Sequence, residues 1–295
     1  MNSPSPLPFL IFMVLGLDSV LGEDSSAPAP TKSETKSPAA SWLREITRLP
    51  PGPFAKIRPV RLTFELGWKN KIHAGKITVS VHESEKDHQR LYLGEARGGT
   101  TGLARLLWPY DVQAKSVVDR ESLRPRLFEL QEKERNKLNS YRIRFEAKRL
   151  ICDTTRAHKK RNGGLPLKSE YKFYHDFGQD ILSAIFYVRS QPLKQEDQVS
   201  MVVTPFNRPY LTKFQVTGRE TRKIDRKVYQ TIRLNAGIGK IRNDFSVEPY
   251  SKVKKITVWI TDDAYRFPLE LQAEVFVGYV SARLTSREWL DSAPH

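Results

Sequence analysis

The chain reads as mainly β: a curved antiparallel sheet forming a partly open barrel or β-spiral, with one main helix near 180–190. Three observations predict this. Apolar and polar residues alternate with period two through most of the chain. Turn residues such as Asn162-Gly163-Gly164, Gly218 and Asn235-Ala236-Gly237 recur at short spacing between those runs. One stretch only, DILSAIFYVRS, carries a strong helical stripe. Strands and helices do not alternate, so a doubly wound fold is not expected.

The first residues carry an export signature. Leu7 to Leu15 (LPFLIFMVL) form an apolar run, and Val20 and Gly22 suit the −3 and −1 positions of a signal-peptidase site. Cleavage near Gly22 leaves Glu23 as the first mature residue. The run is short for a bilayer span, so a cleaved signal fits better than a retained anchor. The n-region has no Lys or Arg, and Asp18 is unusual there. Residues 23–56 begin Pro/Ser/Ala-rich and read as a flexible tether, with SWLREITRLPPGPF able to make a short turn of helix before Pro50-Pro51. A single β-rich domain is expected over 57–285, followed by a C-terminal tail over 286–295.

Within the domain, Leu62, Phe64, Leu66 and Trp68 alternate with polar residues, and Ile77, Val79 and Val81 follow after a turn over Lys71–Gly75, which makes a hairpin. Residues 101–107 (TGLARLL) suit a shorter helix. Residues 126–140 (RLFELQEKERNKLNS) are highly charged and read as a strand end plus a long solvated loop. Tyr141, Ile143 and Phe145 resume the alternation, as do segments near 199–203, 210–218 and 228–234. In the helix, Ile181, Leu182, Ile185, Phe186 and Val188 form a wide stripe, Asp180 can cap the start, and Pro192 lies just past the end. Two alternating strands at 257–284 flank the acidic turn Asp262-Asp263. In the second, Leu269, Leu271, Ala273, Val275 and Val277 share one face.

Composition narrows the chemistry. The net charge is +16, which attracts polyanions. The export signal removes access to nucleic acid and leaves anionic lipid or polysaccharide. Three basic clusters carry the charge: Lys159-Lys160-Arg161, Arg222-Lys223 within RETRKIDR, and Lys252, Lys254 and Lys255. The plainer reading of such runs is solvated loops and guarded strand edges. Cys152 is the single cysteine, so no intramolecular disulfide forms, and it reads as a small buried side chain. The six histidines show no metal-ligand spacing, and no cofactor motif is present. Asp262 and Asp263 are the only candidate catalytic pair. Paired carboxylates serve acid–base work when they converge. The plainer reading is a turn whose carboxylates accept backbone N–H groups. Ser183 lacks the glycine-flanked elbow of a hydrolase nucleophile.

Five blocks then occur in a recognisable order: AGKITVSV, SVVDRESLRPRLFE, DILSAIFYVR, VTGRE and WITDDAYRFPLELQAEVFVGYVSARL. On these the chain resembles the bacterial family catalogued as Domain of Unknown Function 3108, over about 57–285. The resemblance implies an exported, mostly antiparallel β protein of the Gram-negative envelope. A more distant likeness is to envelope-integrity proteins with an incompletely closed β-spiral and to lipoprotein-carrier barrels. The family has no established activity to carry over. Its recurrent residues here, Asp180, Ser183, Tyr187, Arg189, Trp259, Asp262, Asp263, Arg266 and Pro268, are candidates for a ligand site or a structural network. Arg189 or Arg266 against Asp262 or Asp263 suits a buried ion pair fixing helix to sheet.

The first functional expectation is a non-enzymatic periplasmic binding or scaffolding module for an apolar or amphipathic ligand or an envelope protein. The alternatives are a hydrolase or lipid-modifying enzyme using Asp262 and Asp263, and peripheral contact with anionic membrane or polysaccharide through the basic loops. Ligand identity and oligomeric state are left open.

Overall fold

A computed structural model describes residues 41–69, 72–147, 149–158, 164–174, 177–251, 253–275 and 278–291. The signal and tether expected over 1–40 lie outside the described residues. The first arm of the sheet comprises β1 (Val60–Trp68), β2 (Ile72–Lys86), β3 (Gln89–Thr100), β4 (Tyr110–Asp119), β5 (Pro125–Glu134), β6 (Lys137–Phe145), β7 (Leu150–His158) and β8 (Leu167–Phe173). The second comprises β9 (Gly178–Gln179), β10 (Gln198–Val203), β11 (Tyr210–Ile224), β12 (Lys227–Ile241), β13 (Val247–Pro249), β14 (Lys255–Thr261), β15 (Pro268–Glu274) and β16 (Tyr279–Trp289). Two helices accompany them, α1 (Gly102–Leu107) and α2 (Ile181–Ser190).

All of these strands belong to one sheet. Its order is β8-β7-β6-β5-β4-β3-β2-β1-β16-β15-β14-β12-β11-β10-β9, with β13 beside β12. The two ends of the domain therefore meet in the middle of the sheet, where β1 pairs antiparallel with β16 from Val60↔Trp289 to Trp68↔Val280. Only the short β9–β10 pairing is parallel. The edge strands β8 and β9 do not pair, which makes the barrel partly open. Side chains bridge the gap instead. Phe206, after β10, packs edge-on to Tyr141 of β6 at 5.3 Å, and its carbonyl accepts from Cys152 Sγ of β7.

The strands follow the expected pleat. Val60, Leu62, Phe64 and Leu66 of β1 are buried, and so are Tyr110, Val112, Ala114 and Val118 of β4. β2 starts at Ile72, so residues 72–75, expected in the turn, belong to the strand. The charged segment 126–140 corrects the sequence reading. It is a hairpin, β5 and β6, closed by Arg135 and Asn136 with Arg135 at φ 50°. Period two is hidden there because the inward series Phe128, Leu130 continues as Glu132, whose Oε1 accepts a 2.5 Å bond from Tyr110 Oη inside the barrel. Burial pushes the Glu132 carboxyl above the ordinary carboxylate range.

Both proposed boundaries also move outward. Residues 41–56 are packed rather than a tether. A 3-10 turn at Ser41–Arg44 buries Trp42, which with Ile46 joins Val202, Leu211 and Ile241 in a second small core. The Thr47 amide donates to the Ser200 carbonyl, and Tyr187 Oη donates to the Leu49 carbonyl at 2.7 Å. At the other end β16 runs to Trp289, and Asp291 pairs with Arg58 at 2.7 Å, where a tail was expected. No helix among the described residues is long and apolar enough to cross a membrane.

The helix α2 lies inside the curve of the sheet. Asp180 caps it as expected: its Oδ1 accepts from the amides of Leu182 (2.7 Å) and Ser183 (3.0 Å), and Ser183 Oγ accepts from the Asp180 amide in return. Asp180 Oδ2 accepts from Ser116 Oγ of β4 at 2.6 Å, tying the cap to the sheet. Gly94 of β3 lets the helix come close. A side chain there would meet Leu182 Cδ1 at 3.2 Å and the Phe186 ring at 3.5 Å.

Candidate functional site

A cavity of about 180 Å³ lies between α2 and the inner face of β1, β2, β11, β12, β14, β15 and β16. Its origin is visible in the burial of the helix. Every residue of α2 is buried except Ile185, which faces the cavity. Opposite it, Val79, Phe214, Ile238, Val258 and Leu271 line the same space and are only half-buried. Inward-facing side chains of a filled core would be buried. These keep apolar surface uncovered inside the curve of the sheet.

The polar groups at the walls are mostly engaged elsewhere. Glu270 turns its carboxylate to Arg222. Arg58 pairs with Asp291. Thr212 is buried, and its hydroxyl has no hydrogen-bond partner among the described residues. The cavity is thus an apolar chamber, and the wall atoms without a partner among the described residues, the Thr212 hydroxyl and Arg266 Nε, are buried behind its surface.

Two arginines fix the helix end beside this chamber. Arg189, in the last turn of α2, donates through Nε (3.0 Å) and Nη2 (2.7 Å) to the Tyr265 carbonyl, and also reaches the Lys56 carbonyl at 3.4 Å. Arg266 reciprocates from the loop after β14. It donates to the carbonyls of Arg189 (3.2 Å), Gln191 and Pro192 (2.9 Å), and its guanidinium stacks on Phe54 at 3.4 Å. A cation at these carbonyls complements the negative end of the helix dipole. Burial pulls both guanidinium groups down to about 10, so they remain charged at neutral pH.

This geometry replaces the ion pair expected from the sequence, because both arginines bind backbone carbonyls rather than Asp262 or Asp263. Asp263 builds the turn that presents Arg266. Its Oδ1 accepts from Thr261 Oγ1 (2.7 Å) and from the amides of Tyr265 and Arg266 (both 2.9 Å). Asp262 Oδ2 instead accepts from Arg219 Nε at 2.8 Å. The two carboxylates serve different partners, and neither lines the cavity. Convergence on a common point, which acid–base use requires, is not what this turn provides.

The remaining candidates separate into structural tasks. Ser183 completes the helix cap, and Tyr187 anchors residues 47–49. Trp259 lies in a network with residues of β11, β12 and β15. Its Nε1 donates to Glu220 Oε1 at 2.7 Å, Arg222 stacks 4.1 Å over its ring and pairs with buried Glu270, and Arg233 reaches Glu220. Pro268 starts β15 at the cavity wall. Cys152 is fully buried, and burial pushes its thiol up to about 12. The basic clusters do not share a face. Arg222 and Lys223 stand at the β11–β12 turn, whereas Lys254 and Lys255 stand at the start of β14, the opposite end of the sheet. Lys159, Lys160, Arg161 and Lys252 lie outside the described residues. No cluster able to hold a metal ion occurs among the described residues.

Sequence reasoning named Ile185 and Leu271 only as members of apolar stripes. The period-two pattern marks which side chains point inward, but carries no signal that the helix stops short of them.

No curated protein matches this sequence. Among solved structures, the chain is similar to a β-barrel-like protein of the domain of unknown function DUF1849 from Brucella abortus. The TM-score is 0.51 at 11% identity, covering 80% of this chain and 99% of that one. This likeness shows the fold. Weaker matches are a protein from Bacteroides fragilis described as exported with a YmcC-like fold (TM-score 0.32, 6% identity, 81% and 98% covered) and a lipoprotein from Parabacteroides distasonis (TM-score 0.33, 9% identity, 81% and 97% covered). The five sequence blocks, the capped helix and the acidic turn all lie within one matched region: the chain belongs to the family described as "Protein of unknown function (DUF3108)", whose model matches residues 63–285.

Proposed function

We propose that this protein is an exported, non-enzymatic binding module of the bacterial envelope that holds the hydrocarbon part of an amphipathic molecule between α2 and the sheet. The observation that carries this reading is the apolar chamber of about 180 Å³ with its half-buried walls. Dry apolar cavities of about 150 Å³ take up benzene-sized hydrocarbon, because water finds no partners in them. The chamber therefore suits the end of an acyl chain or a compact ring, with the rest of the molecule outside. Export is supported by the apolar run Leu7–Leu15, with Val20 and Gly22 at positions that suit a signal peptidase.

The test is extraction and mass spectrometry of the protein purified from its native envelope, alongside the V258W variant, whose indole fills the chamber. The reading expects one class of amphiphile bound to the wild type and lost from V258W. Identical extracts from the two, with both folded by circular dichroism, would refute a ligand in this chamber. Recovery of the chain from the envelope fraction with Glu23 as its first residue checks the export half of the proposal.

A further inference from the structure

One rim of the sheet carries the β1–β2, β3–β4, β5–β6 and β7–β8 connections, and its surface differs from the rest of the protein. Leu103, Leu106 and Leu107 of α1 are 78%, 80% and 65% exposed. Ile72, Leu138 and Leu167, at the ends of β2, β6 and β8 on the same rim, are exposed as well. Apolar residues gathered like this on one surface mark an interaction site.

The helix α1 is not a frayed loop. It is held over the rim by buried groups. Thr100 Oγ1 donates to the Trp108 carbonyl at 2.9 Å and accepts from the Tyr110 amide at 3.1 Å, with Trp108 and Tyr110 both buried. The Thr101 amide donates to the Ala74 carbonyl of β2, and Arg135 Nη2 donates to the Leu107 carbonyl at 2.7 Å. The fold thus anchors the helix through Trp108 and the backbone and turns its leucines outward.

The charges around these leucines are cationic. Lys76, Lys133, Arg135 and Lys168 are exposed on this rim. The nearby carboxylates have partners: Asp111 makes a two-pronged pair with Arg105, at 2.7 and 3.0 Å, Glu134 lies 4.0 Å from Lys137, Glu65, across the strands from Lys76, contacts His73, and Glu132 is buried on Tyr110. Outward leucines ringed by Lys and Arg match the interface of an anionic bilayer, where apolar side chains enter the acyl boundary and cations meet the phosphates. We infer that this rim is a peripheral membrane-docking surface, with Leu103, Leu106 and Leu107 as the inserting residues. The inference is independent of the ligand chamber, because none of these side chains lines it.

The test uses the full chain carrying L106C, labelled with an environment-sensitive fluorophore. Buried Cys152 stays unlabelled in the folded protein. The control is V228C, an exposed position at the β11–β12 turn on the opposite rim. Vesicles containing phosphatidylglycerol should shift the emission at 106 to the blue and leave 228 unchanged, whereas phosphatidylcholine vesicles should give a much smaller shift at 106. The triple variant L103S/L106S/L107S should lose at least tenfold in flotation with anionic vesicles, and the opposite-rim variant V228S should not. Equal responses at 106 and 228, or none at either, would overturn the inference. So would a shift at 106 that appears without vesicles as protein concentration rises, since that would make the rim a contact between copies of the chain.

Discussion

Removing Arg266 tests how the helix is held. The R266A substitution deletes three bonds to the carbonyls of Arg189, Gln191 and Pro192, and the stack on Phe54. Hydrogen bonds to charged groups contribute about 1.5–3 kcal/mol each in mutational series. Part of that sum is offset, because the substitution also relieves a buried charge whose pKa burial has already pulled down to about 10. Breaking a buried charged contact from one side costs about 3–5 kcal/mol. Here no charge is left behind, only carbonyls, so a loss of about 3 kcal/mol is expected. R266K retains the charge, but one ammonium cannot span the same carbonyls as a planar fork, and about half that loss should remain. Urea unfolding followed by tryptophan fluorescence reads both as a lower midpoint at unchanged slope. The reasoning fails if R266A costs less than about 0.5 kcal/mol, or if R266K matches the wild type. A cycle with R189A should show coupling above about 0.5 kcal/mol, because each arginine binds a carbonyl beside the other.

Asp180 gives a pH signature. Burial raises its carboxyl pKa despite the bonds from Ser116, Ser183 and Leu182, so the folded state holds the proton more tightly than the unfolded chain. Ionisation of Asp180 therefore costs stability as pH rises from about 3.9. D180N should gain on the wild type across that rise, while D180A should be less stable than D180N by about 1 kcal/mol through loss of the cap. A wild type that gains on D180N with rising pH would reverse the sign. Cys152 should resist a disulfide reagent in the native state and react fully in urea, given its burial and raised pKa. G94L should destabilise by about 1–3 kcal/mol, because its side chain enters the space of Leu182 and Phe186. An unchanged melting temperature would show that the helix has room to move.

Features written in local spacing were legible before the structure. Asp180 and Ser183 form a cap three residues apart, Leu62 to Leu66 mark a face, and Asp263 closes its own turn. The β5–β6 hairpin was missed because outward charges are so dense there that the one inward charge, Glu132, erased the alternation. The start of the domain was missed for a different reason. Trp42 and Ile46 carry no period of their own and become core only against Val202, Leu211 and Ile241, which are more than 150 residues away. Arg266 lay next to the acidic pair in sequence, which suggested a carboxylate partner. Its real partners are carbonyls some 75 positions upstream, exposed because the helix ends there. Residues 101–107 read only as a short helix. Nothing in TGLARLL indicates that Trp108, one residue later, would supply the anchor instead.

These polar contacts also account for the chamber. A helix on a curved sheet would ordinarily settle until its apolar face touched the strands, since each uncovered side chain forfeits dispersion contacts. Here α2 is pinned at both ends before it can do so. Asp180 ties its start to Ser116 on β4, and the Arg189–Arg266 clasp ties its end to the loop between β14 and β15. Those two anchors sit on different arms of the sheet, so the helix spans the trough between them. Ile185, midway along, is left facing Val258 and Leu271 across an unfilled gap. Asp263 matters in this arrangement through the turn it builds, which aims the Tyr265 carbonyl and the Arg266 side chain at the helix end. The acidic turn acts as the far support of a bridge, and the space beneath the bridge is the apolar chamber.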